Sequence, residues 1–357
     1  MSDQHHEQFL WERCVLREPG FNHPLEYQEN EHAGLNLEGN HVLVKVEACG
    51  VCFRDLVDRE GRFPFMQLPV TPGHEVSGYV IQAGKDSRWA IGDRVATMHR
   101  DYCGTCSQCI QGQTSLCSQS AWVFGLMVDG GYASHLVSPD SALYAIPETI
   151  ALKEASILHC TYGTAWRGLV TVGSIKAGER VVVTGANGGV GTAAIQIAKR
   201  FGAHVSAVAR HKKHEPYLRN LGVDHIIIDE GQSFHKSDLG RTCDLALECV
   251  GSPTFNSSLR CLKMGGRMVV VGNVSEDRAE LNLGYIVVNG LRILCGGAAT
   301  PDDMSSLLTA FQEAPFDIAI QDFLSLSEAE QAHRALRDGG VQGRIILCPQ
   351  KKEVRSS

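Results

Sequence analysis

The sequence has no long apolar run and no excess of positive charge. No stretch of its 357 residues approaches the roughly 18 consecutive apolar residues that a membrane span needs. The first residues, MSDQHHEQFLWER, contain no apolar core of a signal peptide. The 33 Lys and Arg residues are outnumbered by 40 Asp and Glu residues, and the formal charge of -7 argues against a nucleic-acid partner. We therefore expect a cytoplasmic protein that binds neither a membrane nor a nucleic acid.

Internal repeats and low-complexity linkers are also absent, although 357 residues exceed the size at which a single core stops growing. Two domains are therefore expected. Residues 1–160 contain short β-branched runs, such as HVLVKVEA at His41–Ala48, among many Gly and Pro residues, which indicates a β-rich domain. From Arg180 strand-like and helix-like segments alternate, which predicts βαβ units and a parallel sheet in residues 161–300.

Thirteen cysteines are present, and four of them, Cys103, Cys106, Cys109 and Cys117, follow a C-x2-C-x2-C-x7-C spacing. Four thiolates on one excursion of the chain can surround a tetrahedral zinc ion and leave no open position, which predicts a structural zinc site. The alternatives are four free or buried cysteines, or a redox dithiol. Two successive C-x2-C steps rarely arise by chance, and no thioredoxin-like βαβ pattern surrounds them. The remaining scattered cysteines are predicted to be small core residues: Cys14, Cys49, Cys243, Cys249, Cys261, Cys295 and Cys348.

A glycine-rich turn joins a strand to a helix in VVVTGANGGVGTAA, with glycines at Gly185, Gly188 and Gly191. Glycines let the backbone approach a pyrophosphate, and the helix N-terminus supplies amide donors and positive potential. The turn departs from strict G-x-G-x-x-G because Ala186 stands where the first glycine would be. The context of strand, turn and helix nevertheless predicts dinucleotide binding.

The end of the next strand bears on the choice of cofactor. Enzymes that use NAD usually carry an Asp or Glu there, which binds the ribose hydroxyls. This chain has Ala209, followed by the basic run RHKKH. Arg210, with Lys212 or Lys213, can bind a 2'-phosphate through charge-assisted hydrogen bonds, which favours NADP(H) over NAD(H). The alternative is a solvated basic turn.

The four-cysteine segment, GHE at Gly73–Glu75, GDRV at Gly92–Val95 and the glycine turn occur in the order found in zinc-containing medium-chain dehydrogenases/reductases. The chain resembles this alcohol dehydrogenase family over nearly its whole length. The resemblance implies an α/β protein with a GroES-like, β-rich catalytic domain in residues 1–160, completed by residues 301–357. It also implies a Rossmann domain with a doubly wound parallel sheet in residues 161–300, a small-molecule substrate, and assembly as a homodimer or homotetramer.

The same resemblance assigns a catalytic zinc ion to Cys52, His74 and Cys160, which leaves a fourth position for water or substrate. Taken singly, His74 could be a core histidine and Cys160 a packed apolar residue. Asp55 resembles the carboxylate that orients the ligand imidazole, with a surface or turn aspartate as the alternative. Glu75 resembles a glutamate that lies behind the metal and can replace water on it. The resemblance also implies contacts with the cofactor from Thr164, Gly185, Gly188, Gly189, Val190, Gly191, Arg210, Lys213, Val250, Gly272, Asn273 and Arg344.

A hydroxyl is missing from the sequence beside the ligand cysteine. Members of the family usually carry a Ser or Thr there that takes the proton of the alcohol, whereas Cys52 is followed here by Phe53 and Arg54. A guanidinium remains charged and cannot pass on a proton as a hydroxyl does. Arg54 is therefore a candidate catalytic residue of a different kind.

Three stretches, CFRDLVDREGRFP, GSPTFNSSLRCLKMGGRMVVVGNV and LNLGYIVVNGLRIL, are similar to archaeal-type acryloyl-CoA reductases. That branch of the family reduces an activated C=C bond with NADPH, a reaction in which no alcohol proton has to leave. Hydride transfer between NADP(H) and an alcohol or carbonyl substrate is the first interpretation, and reduction of an enoyl thioester or enone is the alternative. A dinucleotide binder without turnover is a third, but such a protein should have lost the metal ligands that this chain keeps.

Overall fold

The structure is a computed structural model that describes residues 9–32, 35–231 and 233–349. The predictions made for the first eight residues and for the last eight lie outside the described part. Within those three ranges, no helix combines the length and the apolar character needed to cross a membrane.

The strands are numbered in chain order. They are β1 Phe9–Val15, β2 Glu26–His32, β3 His41–Val51, β4 Glu75–Ala83, β5 Arg94–Thr97, β6 His135–Pro139, β7 Leu143–Ala145, β8 Arg180–Val183, β9 His204–Ala209, β10 His225–Ile228, β11 Cys243–Glu248, β12 Leu262–Val270, β13 Arg292–Cys295, β14 Ile320–Leu324 and β15 Arg344–Leu347.

The α-helices are numbered in the same way. They are α1 Phe53–Arg59, α2 Ser107–Ile110, α3 Leu152–Ala155, α4 Thr164–Trp166, α5 Gly189–Arg200, α6 Glu215–Asn220, α7 Ser252–Cys261, α8 Leu283–Asn289, α9 Pro301–Glu313 and α10 Ala329–Arg337. Wide π-helical turns at Leu158–Gly163 and Arg167–Val172 flank α4, and short 3-10 turns occur at Thr114–Leu116, Asp140–Ala142, Lys212–His214, Phe234–Lys236 and Leu326–Glu328.

The chain divides into two compact units. The first runs to His159 and resumes over Asp322–Gly340 and again from Arg344, whereas the second comprises Cys160–Gln321 and Val341–Gly343. The prediction had placed the return to the first domain after residue 300. The structure places it after Gln321, because α9 is held within the second unit.

Side chains near the start of α9 show how the helix is held there. Thr171 donates a hydrogen bond to Asp303 Oδ1 at 2.5 Å, and Arg167 donates one to Asp303 Oδ2 at 2.8 Å. Thr300 caps the helix by accepting from the Asp303 amide, and the Thr300 amide donates to Asp303 Oδ2. Asp303 therefore both caps α9 and anchors it to the helical segment that contains Arg167.

The first unit contains a seven-stranded sheet with the order β14-β15-β3-β4-β5-β7, in which β6 also pairs with β3, and a separate β1-β2 hairpin. Strand β3 lies centrally, since β4 pairs with it on one side and β6 and β15 on the other. Its apolar residues Val42, Val44 and Val46 are buried. The predicted β-rich, GroES-like architecture is confirmed.

The second unit contains six parallel strands in the order β10-β9-β8-β11-β12-β13. In the numbering of the sheet itself this is 3-2-1-4-5-6, the order of the Rossmann fold. The Val181–Val183 run of β8 and the Leu245–Leu247 run of β11 are fully buried, as expected for strands covered on both faces. The predicted doubly wound parallel sheet is confirmed.

Candidate active site and metal centres

The four predicted structural ligands converge in one lobe. Cys103, Cys106, Cys109 and Cys117 offer sulfur atoms within 4.8 Å of one another. The Cys103 and Cys109 sulfurs are 3.9 Å apart, and the Cys106 and Cys117 sulfurs are 4.0 Å apart. A tetrahedron with Zn–S bonds of about 2.3 Å has edges of about 3.8 Å. The separations therefore fit a closed four-thiolate zinc site and are far too long for disulfides.

Backbone amides prepare these sulfurs to be thiolates. The amide of Cys106 donates to Cys103 Sγ at 3.3 Å, and the amide of Cys103 donates to Cys117 Sγ at 3.3 Å. Hydrogen bonds from the amides of Cys109 and Ser118 lower the pKa of the Cys106 thiol to about 5. Amide donors of this kind stabilise the charged form that binds metal.

A second group of potential ligands consists of Cys52, His74, Glu75 and Cys160, whose donor atoms also lie within 4.8 Å of one another. Cys52 stands between β3 and α1, His74 directly precedes β4, and Glu75 is the first residue of that strand. Cys160 lies in the π-helical turn that begins at Leu158. Two thiolates, an imidazole and a carboxylate are donors that zinc accepts, so the residues fit the metal that the sequence implied.

Asp55 orients the imidazole of His74. Its Oδ1 lies 3.0 Å from His74 Nδ1, and both side chains are buried. Its Oδ2 accepts a hydrogen bond from the Cys52 amide at 2.8 Å, so the carboxylate also caps α1. Burial acts to raise the pKa of Asp55, but the charge and hydrogen bond of His74, with the charge of Arg54, outweigh it and lower the pKa to about 2. The Asp55 carboxylate therefore stays ionised and accepts the hydrogen bond of His74 Nδ1. His74 Nε2 is then the ring nitrogen that remains to bind a metal.

Glu75 is paired with Arg344. The guanidinium donates to Glu75 Oε1 at 2.9 Å and to Oε2 at 3.2 Å, and it also lies 3.4 Å from Cys52 Sγ. Burial raises the pKa of Glu75 to about 7, while Arg344 opposes that rise. Arg344 thus contacts two candidate metal ligands, and its contact with the cofactor stays a prediction.

Arg54 is anchored at the start of α1. Its Nε donates to Asp58 Oδ2 at 2.9 Å, and its Nη2 donates to the carbonyl oxygen of Phe124 at 2.7 Å. The Arg54 side chain is 21% exposed, whereas that of Asp58 is 2% exposed. Arg54 is thus a positioned cation and not a mobile surface group, although its catalytic role stays a prediction.

The glycine turn has the geometry that its sequence predicts. Gly185 adopts a φ of +56°, a region that favours glycine. A Cβ on Gly191 would lie 2.3 Å from the carbonyl oxygen of Gly185, so only glycine lets α5 approach the turn this closely. Gly188 is the N-cap of α5 and provides no side-chain cap, and Gly189 and Val190 form the first helical positions. These backbone amides are the groups that would meet a pyrophosphate.

Other residues predicted to bind the cofactor lie near the ends of neighbouring elements. Val250 follows β11, and its amide donates to the buried carboxylate of Glu248 at 2.9 Å. Gly272 and Asn273 follow β12, and the Gly272 amide donates to the Glu248 carbonyl at 3.3 Å. Thr164 is the first residue of α4. The parallel strands thus end beside the glycine turn, where this fold binds dinucleotides.

Arg210 and Lys213 lie just after the end of β9. Ala209, the last residue of the strand, is buried, whereas Arg210 and Lys213 are exposed. Arg210 Nε lies 2.9 Å from Nε2 of His211. The end of the strand thus presents cationic side chains and no carboxylate at the position that usually selects NAD.

Two family models match this chain: the alcohol dehydrogenase GroES-like domain over residues 38–148 and the zinc-binding dehydrogenase over residues 189–313. The acryloyl-coenzyme A reductase of Sulfurisphaera tokodaii is 31% identical over 312 residues, which are 87% of this chain and 92% of that protein. The chain belongs to the zinc-containing alcohol dehydrogenase family of medium-chain dehydrogenases/reductases. It is an oxidoreductase of that family, and the resemblance stated from its motifs is confirmed.

Two solved structures extend the similarity of this alcohol dehydrogenase family member to the whole fold. The crystal structure of AibC is 36% identical, with a TM-score of 0.86, and the match covers 98% of this chain and 99% of that one. The cobalt- and zinc-bound thermostable alcohol dehydrogenase of Pyrobaculum aerophilum is 28% identical, with a TM-score of 0.85. That match covers 96% of this chain and 100% of the other chain.

Sequence reasoning missed several buried residues behind the candidate metal ligands. Tyr132 donates to Asp55 Oδ2 at 3.0 Å, and His333 in turn contacts Tyr132. Arg59 lies against His333. No local pattern could have shown these contacts, because α1, the segment around Tyr132 and α10 are far apart in the sequence.

Proposed function

We propose that this alcohol dehydrogenase family member catalyses zinc-dependent, NADP(H)-linked oxidation of an alcohol or reduction of a carbonyl compound. One observation carries the proposal, namely that the donor atoms of Cys52, His74, Glu75 and Cys160 lie within 4.8 Å of one another. When bound, the zinc ion would supply a Lewis acid that polarises the substrate oxygen, and the nicotinamide would supply or accept the hydride.

The residues of this candidate metal site would have different roles. Cys52, His74 and Cys160 would hold the metal, which leaves one tetrahedral position for the substrate oxygen. Glu75 would not bind the metal while its two oxygens accept hydrogen bonds from the Arg344 guanidinium at 2.9 and 3.2 Å, but it could replace water on the metal. The same guanidinium lies 3.4 Å from Cys52 Sγ and would offset part of the negative charge of the ligand set.

The exposed cations after β9 support NADP(H) as the cofactor. Ala209 offers no carboxylate to the ribose hydroxyls, and Arg210 and Lys213 offer charged donors to a 2'-phosphate. The turn from Gly185 to Gly191 would bind the pyrophosphate through backbone amides at the start of α5.

Reduction of an activated C=C bond is a second candidate, and Arg54 favours it. The side chain stands where alcohol dehydrogenases usually place a hydroxyl, and Asp58 and the Phe124 carbonyl hold it there. A fixed guanidinium can bind an anionic or carbonyl group of the substrate but cannot accept an alcohol proton. The relatives named acryloyl-coenzyme A reductase point in the same direction.

Steady-state rates on matched substrates would test the two candidates. Wild-type protein would be assayed with NADPH on an aldehyde, an enone and an enoyl thioester, and with NADP+ on the primary alcohol. The first proposal predicts turnover of the aldehyde and the alcohol, with loss of activity on removal of zinc and recovery on its return. Turnover of the conjugated alkenes alone would replace the first proposal with the second, and no turnover of any substrate would contradict both.

Substitution of Arg54 provides the sharper comparison. Arg54→Thr adds a hydroxyl, whereas the matched control Arg54→Ala removes the guanidinium without adding one. A hydroxyl that takes up the alcohol proton should make the Thr variant faster than the Ala variant on alcohol, by about 10²- to 10⁴-fold. Equal alcohol rates in the two variants, with a common loss of alkene reduction, would assign Arg54 to substrate binding.

A further inference from the structure

Behind His74, a line of buried polar side chains leads from Asp55 to three residues that the proposed reaction does not use, Tyr132, His333 and Arg59. Asp55 and Tyr132 are 1% and 0% exposed, and Arg59 and His333 are both 0% exposed. The hydroxyl of Tyr132 lies 3.0 Å from Asp55 Oδ2 and 3.0 Å from His333 Nε2. His333 Nδ1 lies 3.4 Å from Arg59 Nη1. Hydrogen-bond contacts therefore connect Arg59 to the carboxylate that orients His74.

Arg59 sets the direction of these hydrogen bonds. A guanidinium has only donors, so His333 Nδ1 must accept from Arg59. Burial lowers the pKa of His333 to about 4, which keeps the ring neutral at pH 7 with its one proton on Nε2. That nitrogen donates to the Tyr132 oxygen, and the tyrosine proton is therefore directed at Asp55. Each of the three contacts along the line from Arg59 to Asp55 thus has one donor and one acceptor.

Arg59 is itself fixed. Its Nη2 donates to the carbonyl oxygen of His23 at 2.8 Å and lies 2.9 Å from Glu330 Oε2. The guanidinium also lies 4.7 Å from the centre of the Phe21 ring, within the range of a cation–π contact. Arg59 and Asp55 are one helical turn apart on α1, so the hydrogen-bonded line begins and ends on the same helix.

The GHE motif makes room for this arrangement. Gly73, which precedes His74, adopts a φ of +96°. A Cβ at this position would lie 2.4 Å from Cδ1 of Tyr132, so a larger residue would displace the tyrosine ring. The glycine that sets the backbone of His74 therefore also admits Tyr132.

We propose that Arg59, His333 and Tyr132 are positioning residues for the zinc ligand His74. By directing the Tyr132 proton to Asp55 Oδ2, they hold the other carboxylate oxygen on His74 Nδ1 and keep Nε2 turned to the metal. This inference rests on the proposed function, since it requires zinc at Cys52, His74 and Cys160.

Metal affinity tests the inference without measuring turnover. Loss of an outer partner of a ligand histidine costs about 10- to 100-fold in metal affinity, and Tyr132 acts one step further out. We expect Tyr132→Phe to lower the zinc affinity of this site by about tenfold. Competition with a chelator of known affinity would measure the change. Titration with cobalt(II) adds a spectroscopic signature, because its visible absorption distinguishes two-thiolate from four-thiolate coordination.

His333 offers a matched pair of variants. In His333→Gln the side-chain oxygen can accept from Arg59 and the amide can donate to Tyr132, so the affinity should stay near that of the wild type. His333→Leu can do neither, so it should behave as Tyr132→Phe does. Tyr132→Phe removes one oxygen atom and keeps the ring, which provides a readout if the leucine variant folds poorly.

The four-cysteine site in the same molecule serves as the internal control. Weaker binding at the His74 site alone supports the inference, because a general loss of folding would weaken both sites. Equal losses at both sites, or unchanged affinity in Tyr132→Phe and His333→Leu, would overturn it while leaving the proposed function intact. A wild type that binds zinc only at the four cysteines would overturn the proposed catalytic centre, and this inference with it.

Discussion

The ion pair between Arg54 and Asp58 gives a quantitative prediction for stability. Asp58 is 2% exposed, and its Oδ1 has no hydrogen-bond partner in the part of the chain that the structure describes. Burial raises its pKa from 3.8 to about 6, although Arg54 acts to lower it. Because the folded state binds this proton more tightly than the unfolded state, the contribution of Asp58 to stability is greatest below pH 3.8. It falls by about 3 kcal/mol in total as the pH rises from below 3.8 through the folded-state pKa of about 6.

Replacing Arg54 with Met removes the charge that opposes this rise. The pKa of Asp58 should then increase above 6, and each further unit costs about 1.4 kcal/mol once the pH exceeds the new value. The free-energy difference between wild type and Arg54→Met should therefore widen with pH above about 6. Loss of one partner of a buried pair commonly costs 3–5 kcal/mol, which sets the expected size of the effect at about pH 8.

Urea unfolding of the zinc-saturated protein from pH 5.5 to 8.5 would measure this difference. The double variant Arg54→Met/Asp58→Asn is the control, since it has no carboxylate to titrate, and its free-energy difference from Asp58→Asn should not change with pH. A difference between Arg54→Met and wild type that stays constant across this range would refute the reasoning. Arg54 would then stabilise the protein through its contact with the Phe124 carbonyl alone.

Two further predictions concern the metal and the cofactor. Cys103→Ser should lose one of two zinc ions per chain and much of its stability against unfolding, because closed zinc sites contribute directly to folding. Metal analysis and thermal unfolding would measure these losses. A wild-type protein that contains no zinc after reconstitution would contradict the prediction. Arg210→Ala should weaken the binding of NADPH by about 2 kcal/mol, roughly thirtyfold in affinity, because the 2'-phosphate loses a charged partner. The affinity for NADH should stay nearly unchanged. Equal losses in titrations with the two cofactors would exclude a role specific to the phosphate.

The features that the sequence predicted are those carried by short segments. Cys103 to Cys117 lie on one excursion, so their spacing already constrains the sulfur positions. The Gly185–Gly191 turn is likewise local, because a buried strand, a tight turn and a helix follow one another. Such local patterns were enough to predict the family and the fold. The cytoplasmic location and the homo-oligomer stay predictions.

Features that depend on distant partners could not be predicted in this way. Nothing near Thr300 shows that α9 remains in the second unit, because its anchors are Arg167 and Thr171. The pairing of Arg344 with Glu75 requires β15 to lie beside β3. Cys295 was predicted to be a core residue and is exposed, since it ends β13 at the edge of its sheet.

The antiparallel pairing of β15 with β3 has a consequence for biosynthesis. Ile345 pairs with Val51 and Leu347 with Cys49, so the strand next to Cys52 gains this partner from residues that leave the ribosome after the whole Cys160–Gln321 segment of the second unit. Such a loop closes only after all the residues between Val51 and Ile345 have been synthesised. The second unit, in contrast, is almost continuous in sequence and can fold during translation. A nascent chain would therefore fold the unit that carries the glycine turn before the sheet beside Cys52 is complete, and ribosome stalling before Arg344 would leave β3 without its β15 partner.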